Sequence, residues 1–114
     1  MAEVRVNIQN ITARSGGLEP SRSTGLNSSD THLIRNDGQV FIWAKNTDAS
    51  DHDVTVVTPG TVSGLEISDL TATIPSESEK FLGPFSRNDF NNPNNDMEVT
   101  LSDGTGMELG AFRL

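Results

Sequence analysis

The chain has 114 residues, 16 of them acidic and 8 basic, for a formal net charge of −8, and it contains no cysteine. That charge repels nucleic acid and anionic membrane surfaces, and the missing thiol excludes disulfides, thiolate metal sites and cysteine nucleophiles together. Leu, Ile, Val and Phe supply 28 of the 114 residues, enough for the core of one domain spanning residues 1–114 and too little for a second.

Along the chain, Val4, Val6 and Ile8 alternate with Glu3, Arg5, Asn7 and Gln9, which predicts a first strand with one apolar face. This opening lacks the continuous apolar stretch of a signal peptide, and no apolar run approaches the roughly 20 residues a bilayer span requires. Residues 13–31, rich in Ser and Gly, form a long polar loop of the kind that is usually functional. Arg14, Leu18, Arg22 and Leu26 are its candidate partner-binding residues.

Val40–Ala44 is apolar at every position and reads as a central strand covered on both faces. The polar turn 46–51 follows, then a strand over 53–58 that Pro59-Gly60 closes. Leu70–Ile74 alternates and stops at Pro75, and 80–85 forms the next strand. Pro84 has no N–H to give a ladder, so this strand must lie at an edge or end there. A single helical turn fits 86–90 with Ser86 as its cap. The Asn-rich loop over 87–96 adds Phe90, Asn91 and Asn92 to the candidate partner-binding set. Met97-Val99-Leu101 and Met107-Leu109-Ala111 alternate on either side of Asp103-Gly104, which predicts a C-terminal hairpin. Seven or eight short antiparallel strands with turn chemistry between them indicate an all-β fold, a single β-sandwich of jelly-roll or immunoglobulin-like type.

No residues form a catalytic signature, and the chain reads as a structural or interaction protein rather than an enzyme. The two histidines are His32 and His52. Asp51-His52-Asp53 looks like a metal cluster, but consecutive strand residues point to opposite faces and do not converge on one ion. The acidic and Asn-rich stretches 48–53 and 88–96 lack the ligand spacing of a dedicated calcium loop. No cofactor or metal is expected. Trp43, within an apolar run, is assigned to the core, with Phe41 or Trp43 as the anchor between the sheets; the competing reading is an exposed platform for sugar faces.

The run Arg35-Asn36-Asp37-Gly38-Gln39-Val40-Phe41-Ile42, the later Lys80-Phe81-Leu82-Gly83-Pro84-Phe85, the opening Ile11-Thr12 and the closing Ala111-Phe112-Arg113-Leu114 resemble small structural proteins of tailed double-stranded DNA viruses. The resemblance covers most of the chain through motifs of low specificity, and no catalytic residues are carried over. It implies a virion structural protein on the capsid surface, made in the host cytoplasm, whose partners are the major capsid protein and copies of itself in a homo-oligomer. Decoration of the capsid is the leading role, and a head–tail connector or tail component is a further alternative. The rival class is an adhesion or carbohydrate-binding β-sandwich module.

Overall fold

The protein, as a computed structural model, is described over residues 3–10, 23–59, 61–62, 65–66 and 69–113. It is an all-β sandwich. Its strands are β1 (Glu3–Arg5), β2 (Ile8–Asn10), β3 (Thr31–Arg35), β4 (Val40–Asn46), β5 (His52–Val56), β6 (Thr61–Val62), β7 (Leu65–Glu66), β8 (Leu70–Ile74), β9 (Ser78–Leu82), β10 (Asp96–Leu101) and β11 (Met107–Arg113), with one helical turn, α1 (Arg87–Phe90). One sheet has the order β1-β3-β10-β5-β8, the other β2-β11-β4-β9, and β6-β7 is a separate small ribbon. The sheets are mixed rather than purely antiparallel, because β1 runs parallel to β3 and β2 parallel to β11.

The core follows from the period-two patterns. Ile34, Val54, Val56, Met97 and Val99 from the five-stranded sheet meet Val40, Ile42, Ala44, Leu109 and Ala111 from the four-stranded sheet, all fully buried. Burying an aliphatic side chain of this kind stabilises the fold by about 1.5–3 kcal/mol. The predicted central strand is β4, hydrogen-bonded to β11 on one side and β9 on the other, but it is not covered on both faces: Phe41 and Trp43 on its odd-numbered face are only half-buried. Strand β9 lies at a sheet edge and ends at Leu82, as Pro84 requires.

Two local expectations are corrected. The opening alternation is not one strand. Val6 N–H donates to the Leu33 carbonyl at 2.9 Å and its side chain joins the core, after which the chain passes to the other sheet and begins β2 at Ile8. The C-terminal segment is not a hairpin either, because β10 belongs to the five-stranded sheet and β11 to the four-stranded one. Residues 102–106 form an arch across the sandwich. Gly104 is required there, since a Cβ would sit 2.2 Å from the Leu26 carbonyl oxygen.

Arches are the rule in this fold. Along the chain the strands of the two large sheets alternate between sheets, except at β5 and β8, which pair directly. Buried Asn side chains hold two of the crossings. Asn36 Nδ2 donates to the Phe85 carbonyl (3.2 Å) and to Asn91 Oδ1 (2.8 Å), while its Oδ1 accepts Gly38 N–H (2.9 Å). Asn46 Nδ2 donates to the Ser50 (2.7 Å) and Ile74 (3.1 Å) carbonyls, and its Oδ1 accepts Asp48 N–H at 2.9 Å. Each amide is satisfied on both sides, as a buried polar group must be.

Candidate functional site

Odd-numbered side chains of β4 project from the sheet face opposite the core. Register places Phe112 across from Phe41, Trp43 between Gly110 and Phe81, and Lys45 between Glu108 and Glu79. Gly110 offers Trp43 no cross-strand side chain, so the indole packs on Phe112 diagonally (centroids 6.0 Å) and stacks on Phe81 (5.9 Å). Phe41 stacks on Phe112 at 5.6 Å and meets Phe81 edge-on at 5.8 Å. The result is one aromatic quartet with charged residues at the β4 C-terminal end. Phe112 is buried and Phe41 and Trp43 are half-buried, whereas Phe81 is 66% exposed. Beside Phe81 runs a shallow groove of about 760 Å³ lined by Gly38, Gln39, Phe41, Phe81, Gly83 and Pro84.

Trp43 is therefore not the anchor between the sheets; it lies on the outer face, and the inner positions of its strand hold Val40, Ile42 and Ala44. Interiors of sandwiches demand side chains that interdigitate across a fixed gap, and β4 meets that demand with aliphatics.

The candidate partner-binding residues are dispersed. Arg14, Leu18 and Arg22 lie outside the described residues. Leu26 packs against the core. Phe90 closes α1 against Phe85, edge-on at 5.1 Å. Asn91 exchanges hydrogen bonds with Asn36, donating to its carbonyl at 2.8 Å. Asn92 Oδ1 accepts the N–H groups of Asn94 and Asp96, and its Nδ2 donates to Glu98 Oε2. The last three are neighbours and their side chains hold the loop together. Ser86 occupies the cap position of α1, but its side chain makes no capping bond.

A second polar centre ties β1, β3 and β10. The Asp96 carboxylate is nearly buried, receives both Arg5 nitrogens at 3.1 and 2.9 Å, and has Arg35 Nε at 3.4 Å. The hydrogen bonds from Arg5, then the charges of Arg5 and Arg35, hold it below the usual carboxylate range against the opposing effect of burial.

The histidines have separate roles. His32 is fully buried in the core; its Nδ1–H donates to the Val99 carbonyl at 3.2 Å, and its Nε2 has no hydrogen-bond partner among the described residues. His52 places Nε2 3.0 Å from Asp48 Oδ2, and Asp103 completes a group whose ligand atoms lie within 4.8 Å of one another. Among the described residues neither imidazole is hydrogen-bonded to a serine or threonine hydroxyl.

Comparison with known families, curated proteins and solved structures finds no match. The site is therefore read from its own chemistry. The aromatic quartet has a sequence signal, since aromatics occupy one parity of β4 and small aliphatics the other. The grouping of Asp48, His52 and Asp103 has only part of one, the acidic stretch 48–53, because Asp103 comes from an arch far along the chain.

Proposed function

We propose that the protein is a virion structural protein of a tailed virus, a capsid decoration protein that works by protein–protein contact with the major capsid protein and with copies of itself. The observation that carries this reading is Phe81, 66% exposed at the open edge of an aromatic sheet face and beside an apolar groove. Large exposed aromatics of this kind serve as interface anchors. The resemblance of the chain to tailed-virus structural proteins supports the choice of partner.

Co-sedimentation with capsid shells tests it. The native protein is expected to sediment with shells, and Phe81→Ser to bind at least tenfold more weakly while keeping its β-sheet circular dichroism. Equal binding by the variant removes Phe81 from the interface, and no binding by the native protein removes the capsid as partner. Light scattering gives the oligomer, for which a closed ring or trimer is expected. A connector or tail role uses the same kind of contact and differs in the particle fraction that binds.

One observation favours a second reading, a carbohydrate-binding or adhesion module: the stacked Trp43–Phe81 pair, with Phe81 open, has the form of a sugar platform. That reading predicts a change of Trp43 fluorescence with glycans, which the capsid reading does not.

A further inference from the structure

The arch from β4 to β5 and the arch from β10 to β11 meet at one end of the sandwich. Thr47 N–H and its hydroxyl both donate to the Gly106 carbonyl, at 2.9 and 2.8 Å. Ser102 N–H donates to the Asp53 carbonyl (3.0 Å), and Asp53 N–H to Ser102 Oγ (2.9 Å). A Cβ on Gly106 would come within 2.9 Å of Asp48 N, so the two arches are packed backbone to backbone. Asp48 and His52 project from the first arch and Asp103 from the second.

We propose that Asp48, His52 and Asp103 form a binding site for a borderline divalent transition metal ion, zinc being the best fit. An imidazole distinguishes this group from a gathering of surface acids. His52 is only 5% exposed, yet its Nε2 points into the cluster. One imidazole with two carboxylates is a donor set for zinc and its neighbours, whereas calcium and magnesium favour oxygen alone.

The geometry agrees. Two ligands about 2.0–2.1 Å from a tetrahedral zinc lie roughly 3.3 Å apart, and His52 Nε2 and Asp48 Oδ2 are separated by 3.0 Å. Asp103 lies within 4.8 Å of both and is exposed.

Each carboxylate also has the support that metal ligands receive from outside the coordination sphere. Asp48 Oδ1 accepts Ala49 N–H at 2.8 Å, and Asp103 Oδ1 accepts Thr105 N–H at 2.9 Å. The other oxygen of Asp48 faces His52 Nε2, and an ion bound between them replaces the proton they share. Among the described residues neither carboxylate pairs with a lysine or arginine; their charge partner is the His52 imidazole itself. Three protein ligands leave a fourth position for water or for a donor from another molecule. An ion held there clips one arch to the other.

Titration calorimetry of metal-free full-length protein with zinc chloride at neutral pH tests the site, with calcium and magnesium chloride as comparators. One equivalent of zinc is expected to bind, and calcium and magnesium at least a hundredfold more weakly. Melting should rise on the order of 10 °C at free zinc one hundred times the dissociation constant. Asp103→Asn, at an exposed position, should keep the melting temperature of the metal-free protein and weaken zinc at least tenfold. The cobalt-loaded native protein should show a visible absorption band that the variant lacks. Absence of saturable zinc binding, or equal binding by Asp103→Asn, overturns the site, and a preference for calcium overturns the zinc assignment.

Discussion

The two faces of β4 make the most informative contrast in the molecule. The inner face presents Val40, Ile42 and Ala44, all fully buried, and ends in Asn46. The outer face presents Phe41 and Trp43, the larger side chains, and they are only half-buried. A strand built for stability alone would place its greatest apolar area where water is excluded. Here that area faces outward and continues through Phe112 to the open ring of Phe81. The inner face supports the fold, and the outer face is where binding is proposed.

Substitutions at the two faces should therefore separate stability from binding. The largest loss is expected inside. Ile42→Ala removes a fully buried side chain between two sheets and should cost about 2–5 kcal/mol, read as a fall in the urea midpoint. An unchanged midpoint would mean that the inner layer is not close-packed. Next comes Asp96→Ala, which deletes the charge-assisted hydrogen bonds from Arg5 and the ion pair with Arg35 and should cost about 1.5–3 kcal/mol by the same measurement.

The pH dependence of the native protein carries the same carboxylate's signature. Its acid is held below the ordinary value of about 3.9, so the stability it adds is present above that pH and is lost as pH falls through the depressed folded-state value. Stability of the native protein should drop below about pH 4, and Asp96→Ala should flatten that limb. An equally steep limb in the variant would assign acid sensitivity elsewhere. The smallest effect belongs to the outer face: Phe81→Ser should change stability by no more than about 0.5 kcal/mol, because the ring is mostly in water. A larger loss would make the aromatic quartet part of the core.

Much of the fold was legible because alternation reports which side chains share a face. Strands β8, β10 and β11 follow directly from it, and β4 from an unbroken apolar run. What alternation cannot report is which sheet a strand joins. Asp103-Gly104 has the composition of a hairpin, yet the segment serves as an arch, and Gly104 is there because the Leu26 carbonyl crosses it. The Val4–Ile8 run likewise keeps its rhythm while changing sheets. Trp43 was misplaced for the opposite reason: in a run apolar at every position, hydrophobicity has no period, and only side-chain size separates the faces. The Asp51-His52-Asp53 triplet holds one member of the proposed site; Asp48 lies four residues earlier in the same polar turn, and Asp103 meets them only through the tertiary fold.

Strand β11 lies between β2 and β4, pairing Ala111–Arg113 with Ile8–Asn10 and all of β4 with its own length. The middle of that sheet is thus supplied by a strand that comes after all of its sheet partners in the chain, and the sheet is continuous only once β11 has joined. Until then β2 and β4 have no common partner, and β4 has only β9 beside it. The decisive step in forming this layer joins sequence-distant strands, and that loop closure makes it slow relative to hairpin-built domains. During that interval the nascent chain displays Phe41 and Trp43 without Phe112 against them, so the surface proposed for binding is also the surface a chaperone would meet first.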